Sequence, residues 1–208
     1  VIEVGAATLD KKVANFAEAN GIANLEFLAC IPGSLGGAVI MNSGCYDNDI
    51  SKILISLKAI DIEKFEEKEI KREDIEFFYR GTNLSNKLII TSVKLRGKVD
   101  TTKAIEQKKN KMLKMKKMSQ PSQVKTCGST FKNPKEKKAW ELIKNSNCSE
   151  VSFGKAKISS KHNNFFINEG GASSEDIEKL INYLKRKVFE QQNIKLDLEI
   201  KIIGKNIS

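Results

Sequence analysis

The sequence predicts an α+β fold, in which helices and strands mix without a regular strand–helix–strand rhythm. Two patterns carry this expectation. Ile177, Leu180, Ile181, Leu184 and Val188 fall at helical spacing on one face, the clearest periodicity in the chain. By contrast, residues 53–62, 88–95 and 195–203 alternate apolar and polar side chains, as strands with one buried face do. At 208 residues, 40% hydrophobic and 30% charged, the chain can bury a real core and hold one large domain or two small ones.

Taken in order, Val1-Ile2-Glu3-Val4-Gly5-Ala6-Ala7 reads as a strand running into a turn. No initiator methionine stands before it, so an N-terminal segment is expected to precede this sequence. Thr8 is the expected N-cap of a helix over 9–20, stopped by Gly21, with Leu9, Val13, Phe16 and Ala17 on its buried face. A glycine-rich stretch follows, with Pro32, Gly33, Ser34, Gly36, Gly37, Asn42 and Gly44. Backbone N–H groups without side chains in the way make an anion nest suited to a phosphate, and a purely structural glycine turn fits the same residues. The stretch is neither a Walker A loop nor GxGxxG.

Between the strands at 53–62 and 88–95 lies Phe77-Phe78-Tyr79-Arg80-Gly81. An arginine behind three aromatics is either stacked for packing or fixed to bind a carboxylate in a forked geometry. Residues 100–118 read as a long helix with sparse apolar positions at Ile105, Met112 and Leu113, and Met112 with Met115 reads as gap-filling core. Residues 119–126, with Pro121, read as a linker, which places a domain boundary between 118 and 119. A short helix is expected from Ala139, and Ser173 with Asp176 forms a capping box for the periodic helix. In the last expected strand Leu196, Leu198, Ile200 and Ile202 share one face, while Asp197, Glu199 and Lys201 share the wet one.

The formal charge of +10 invites a nucleic-acid or polyanion-binding reading. Only Arg72, Arg80, Arg96 and Arg186 among the 36 basic residues are arginine, whereas base-edge and bidentate phosphate recognition lean on arginine. The dense lysine run at 108–117 has no interleaved aromatics, which single-strand binding needs. Cys30, Cys45, Cys127 and Cys148 form no CxxC pair and accompany a single histidine, His162, so neither a zinc site nor a disulfide framework is expected. No apolar run approaches the roughly 18–20 residues that span a bilayer, so no membrane partner is expected, while the cysteine usage and the lack of a basic-then-apolar leader make a cytoplasmic location the expectation.

The most informative stretch is Cys127-Gly128-Ser129-Thr130-Phe131-Lys132-Asn133-Pro134. Gly128 lets Ser129 sit at a bend, and Pro134 restricts Asn133 to an extended or turn geometry. A lone Gly-Ser would be a tight turn whose serine satisfies its own backbone. Here it stands with a glycine-rich loop, an aromatic-Tyr-Arg turn and a late glutamate.

In that order, Ile31-Pro32-Gly33-Ser34-Leu35-Gly36-Gly37-Ala38 with Met41-Asn42-Ser43-Gly44, Phe78-Tyr79-Arg80, Gly128 to Pro134, Ser160 to Asn168 and Leu198 to Gly204 give the chain a likeness to a known family. It resembles the UDP-N-acetylenolpyruvoylglucosamine reductases, shorter form, FAD enzymes that make UDP-N-acetylmuramate for peptidoglycan with NADPH as reductant. The resemblance implies catalytic roles for Ser129 as proton donor and for Arg80 and Glu199 at the substrate carboxylate. It implies that Pro32, Gly33, Ser34, Gly36, Gly37 and Asn42 face the flavin. Tyr79, Lys132, Asn133, His162 and Lys201 then bind the UDP-sugar nucleotide. It further implies that 1–118 is the second part of an FAD-binding domain and that 119–208 binds substrate; a monomer without a nucleic-acid partner is expected. The family's first FAD subdomain, with its glycine-rich pyrophosphate turn, has no counterpart in these residues. Two other departures stand out: Cys127 replaces a small alanine or glycine, and 145–151 lacks the family's Gly-Leu-Lys-Gly-like pattern. A polyanion-binding module and another FAD oxidoreductase of the same superfamily are the alternative functions.

Overall fold

The structure, a computed structural model, describes residues 1–204. The chain divides into two compact units, Val1–Lys116 and Lys117–Ser208, and the described residues form two hydrophobic clusters that share no residue. Helices and strands mix in both, so the class is α+β.

The first unit is built on a four-stranded antiparallel sheet in the order Ile2–Gly5, Leu88–Leu95, Leu54–Asp61, Glu66–Lys71. Leu57 sits opposite Val93 on one side and Ile70 on the other. The alternation over the Leu54–Asp61 strand changes phase: Leu54 and Ser56 are buried, then Leu57, Ala59 and Asp61. A register shift between Leu54 and Ser56 inserts one extra residue, which turns the following side chains to the opposite face.

Helix α1 spans Asp10–Ala19, one residue inside the expected start, and Leu9 rather than Thr8 is its N-cap, with no side-chain cap. The Thr8 carbonyl is instead used to accept the Leu35 N–H at 2.9 Å. Val13, Ala14 and Ala17 form the buried stripe, while Leu9 and Phe16 are 51% and 56% exposed. With Asp10, the three buried residues centre the stripe on the Ala14 side of Val13, which leaves Phe16 off the buried face. Helix α2 is a short turn, Leu35–Ile40.

Helix α3 spans Thr102–Ser119 and buries Ile105 and Met112, but Met115 is 44% exposed and is not core. Its lysines do structural work: Lys109 pairs with Glu18, and Lys108 reaches the buried Glu26 at 3.3 Å.

The second unit packs α4 (Ala139–Asn145) and α5 (Ser174–Gln192) with a three-stranded antiparallel sheet, Ser152–Phe153, Ala156–Ile158, Phe166–Asn168. The capping box of α5 forms as its sequence predicts, with Ser173 Oγ accepting the Asp176 N–H at 3.0 Å and Asp176 Oδ2 accepting the Ser173 N–H at 3.0 Å. Leu180, Ile181, Leu184 and Val188 are buried, and Ile177 packs at the margin.

The expected strand over 195–203 does not form. Only Leu198 makes a bridge, to Phe131, and Ile202 and Ile203 are 52% and 94% exposed. Alternation alone does not make a strand; a ladder needs a partner edge along its length, and the segment at 130–132 supplies one for only a few residues.

Candidate active site

Of the candidate residues of the first unit, Asn42, Tyr79 and Arg80 lie where the end of the glycine-rich segment meets a tight hairpin. Phe77–Phe78 and Gly81–Thr82 pair antiparallel, leaving Tyr79 and Arg80 at the tip, with Arg80 at φ 58°. A non-glycine residue there carries backbone strain that its surroundings must hold. Those surroundings are specific. Arg80 Nη2 donates to the Gly44 carbonyl at 3.2 Å, and its guanidinium lies 4.9 Å from the Tyr79 ring centroid. Thr82 Oγ1 donates to the Ile40 carbonyl at 3.3 Å. Asn42, buried, donates from Nδ2 to the Phe78 carbonyl at 3.2 Å and accepts the Ser51 N–H at Oδ1 at 3.1 Å. One amide therefore ties the glycine-rich segment to the hairpin and to the turn entering the next strand. Asn42 and Arg80 are thus hydrogen-bonded into one frame, with the Tyr79 ring against the guanidinium.

The anion-nest reading of the loop is corrected at two positions. The N–H groups of Leu35 and Gly36 already donate to the carbonyls of Thr8 and Ala6, both at 2.9 Å. Gly36 is glycine for packing: a Cβ there would approach Ala6 Cβ at 3.0 Å. Pro32, Gly33 and Gly37 are exposed, and a Cβ added at Gly33 or Gly37 would meet nothing nearer than 3.9 Å and 3.5 Å respectively. Bare backbone at those two glycines leaves room for the close approach of a ligand. Ser34 pairs with Leu9 as an isolated bridge, and a cavity of about 340 Å³ lined by Gly5, Ala7, Thr8, Leu9 and Lys12 opens next to it. Sequence reasoning did not find that cavity.

In the second unit, the stretch around Ser129 is held from both sides. On one side Ser129 bridges Phe165, and the Thr130 N–H donates to the Asn164 carbonyl at 2.8 Å. On the other, Phe131 bridges Leu198, the Lys132 N–H donates to the Asp197 carbonyl at 2.8 Å, and the Glu199 N–H donates to the Thr130 carbonyl at 2.9 Å. Ser129 and Glu199 thus stand on neighbouring rungs, both half-buried. Gly128 has φ 85° with no atom within 4 Å of an added Cβ, so it serves the turn rather than packing.

Asn164 is the residue the sequence reading passed over. Buried, it accepts the Phe131 N–H at 2.9 Å and donates to the Phe131 carbonyl at 2.8 Å, imitating a strand partner. Its place after His162 in an Asn-Asn pair was visible, but nothing local announces a bond to a residue 33 positions earlier.

His162 is half-buried, stacked edge-on to Phe165 at 4.8 Å, and its Nδ1 accepts the Asn164 N–H at 3.3 Å. Burial pushes its pKa below the ordinary value. The ring is therefore neutral at pH 7, and the accepting Nδ1 leaves the proton on Nε2. Asn133 is exposed and its Oδ1 accepts the Ala139 N–H at 3.0 Å, which caps α4. Lys132 is half-buried and Lys201 exposed.

A family model described as "UDP-N-acetylenolpyruvoylglucosamine reductase, C-terminal domain" matches residues 120–203. The reductase of that name from Pelagibacter ubique is 44% identical over 206 residues, spanning 98% of this chain and 68% of the relative. The chain belongs to the UDP-N-acetylenolpyruvoylglucosamine reductase family. Another relative of the same name, from Rickettsia prowazekii, is 39% identical over 208 residues, covering 98% of this chain and 69% of its own length. The crystal structure of UDP-N-acetylenolpyruvylglucosamine reductase from Thermus caldophilus superposes with a TM-score of 0.86 at 30% identity, over 96% of this chain and 71% of that one. The reductase likeness therefore extends through both units, including the Arg80 hairpin that lies outside the residues matched by the family model.

Proposed function

We propose that the protein reduces UDP-N-acetylglucosamine enolpyruvate to UDP-N-acetylmuramate for bacterial peptidoglycan, using NADPH and FAD, as a cytoplasmic monomer. The observation that carries this reading is the match of 98% of the chain, at 44% identity, to a relative of that name. It disfavours the polyanion-binding alternative, and no helix among the described residues is long and apolar enough to cross a membrane.

FAD, where bound, would supply hydride transfer from NADPH to the vinyl carbon of the substrate. The protein supplies position and protons. Exposed Pro32, Gly33 and Gly37 would receive the ring system, with Ser34, Gly36 and Asn42 shaping the backbone behind them. Hydride addition drives negative charge toward the substrate carboxylate. Arg80, fixed by the Gly44 carbonyl and the Tyr79 ring, suits a group that stabilises charge where it develops without reorganising first. Glu199 takes the second position at that carboxylate. The Ser129 hydroxyl would donate a proton to the adjacent carbon; a serine is a weak acid, so it suits only a strongly basic carbon at close range. The clamped backbone on both sides of Ser129 supports that requirement. Tyr79, Lys132, Asn133, His162 and Lys201 would contact the nucleotide or its diphosphate, with His162 as a neutral donor through Nε2.

The test separates the two half-reactions. In Ser129→Ala, flavin reduction by NADPH stays near the parent rate, while reoxidation by substrate falls about 10²–10⁴-fold, the usual worth of a well-placed proton transfer. Stopped-flow absorbance of the flavin measures both. Equal losses in the two halves would remove the proton-donor assignment.

A further inference from the structure

Beside the hairpin that carries Arg80, the first unit has a groove of about 660 Å³ lined by Lys52, Lys71, Arg72 and Arg96, with Glu69 and Glu73 also lining it. We propose that this groove is a second ligand site, which takes a small phosphorylated molecule bearing sugar hydroxyls.

Its cationic core is built rather than incidental. Arg72 donates from Nε to the Ser51 carbonyl at 2.9 Å and from Nη1 to the Ile75 carbonyl at 3.1 Å, and it stacks 4.5 Å from the Phe77 ring centroid. A guanidinium held at three points loses little freedom on binding, which favours a forked contact to phosphate. Arg96 and Lys71 stand at strand ends on the same groove, and Lys52 is anchored to the Asp47 carbonyl. The four cations exceed the two carboxylates. Glu69 is held ionised first by the Ser56 hydroxyl at 2.7 Å and then by Lys94 at 3.4 Å, a lysine outside the groove lining, so its charge is already balanced. Glu73 approaches Lys71 only at 3.9 Å, and both are exposed.

The groove therefore offers a net positive field with two acceptors beside it. Inorganic phosphate alone underuses such a volume, whereas a phosphate on the cations and hydroxyls donating to the carboxylate oxygens use both kinds of group. The site is also linked to the hairpin: Arg72 holds Ser51, Ser51 donates to Asn42, and Asn42 holds Phe78.

The experiment is calorimetric titration of the full chain with glucose 6-phosphate, and with inorganic pyrophosphate as the arm without hydroxyls. The variants are Lys71→Ala/Arg96→Ala, which leaves the structurally engaged Arg72 in place, and Lys201→Ala, which reports on the substrate nucleotide site. Saturable binding of glucose 6-phosphate, weakened at least tenfold in Lys71→Ala/Arg96→Ala and unchanged in Lys201→Ala, supports the groove. Tighter binding of pyrophosphate than of glucose 6-phosphate would overturn the sugar-phosphate assignment. Absence of binding by either ligand, or loss only in Lys201→Ala, would overturn the site itself. Since binding is read directly, failure of the reductase assignment leaves this test standing.

Discussion

Asp10 is the most unusual side chain in the first unit. It opens α1, is fully buried, and neither carboxylate oxygen has a hydrogen-bond partner among the described residues. Burial pushes its pKa from 3.8 to about 7. The folded state therefore holds this proton more tightly than the unfolded chain does. The associated stability is fully present below pH 3.8 and is lost as pH rises through about 7, amounting to something on the order of 4 kcal/mol. Asp10→Asn removes the titration, so the stability difference between parent and variant shifts in the variant's favour from pH 4.5 to pH 8. Urea unfolding at a series of pH values measures this, and a constant difference would mean that Asp10 is ionised in the folded state. Nothing in the sequence marks this residue, since an aspartate in a first helical turn ordinarily reads as an exposed dipole partner. Asn164 was equally silent, for the same reason: its worth lies in a partner remote in the chain.

At the scale of elements, local rules worked where the pattern closes on itself. The capping box and the α5 stripe involve residues three or four apart, so spacing alone determines them. The strand expected over 195–203 failed because a ladder depends on another segment. The hairpin carrying Arg80 depends likewise on the turn Gly44–Cys45/Asn48–Asp49, whose Gly44 carbonyl receives the guanidinium. A Cβ at Gly44 would overlap the Asn48 carbonyl and lie 2.9 Å from Asp49 Cα, and backbone cannot step aside as a flexible side chain can. Gly44→Ala is accordingly expected to cost about 1–3 kcal/mol and to lower substrate turnover more than flavin reduction by NADPH. Denaturant melts and the two half-reactions report the outcome; intact turnover would detach Arg80 from the chemistry.

For the whole molecule, the two clusters of buried side chains make a clear expectation. Leu57 in the first and Leu180 in the second are each at most 1% exposed. Leu57→Ala and Leu180→Ala should each cost about 2–5 kcal/mol. Because the two cores share no residue, the double variant should equal the two single effects within about 0.5 kcal/mol. Calorimetric or denaturant unfolding of the three proteins checks it, and a larger departure would show the cores to be energetically coupled. The lysine excess also resolves at this scale: several lysines of α3 are occupied by Glu18, Glu26, Asn15 and the Cys30 carbonyl, so net charge overstates the cation available to a polyanion.

By itself the sequence determined the mixed class, the long helices, the α5 cap and the identity of the candidate residues, because composition, short-range spacing and ordered motifs all act within a few positions. Only the tertiary structure decided that the N–H groups of Leu35 and Gly36 are consumed within the fold, that Asn42 joins the loop to the Arg80 hairpin, and that Ser129 and Glu199 share adjacent rungs. Hydrogen bonds and burial are settled by partners brought from afar, and a partner's distance along the chain leaves no periodicity to read.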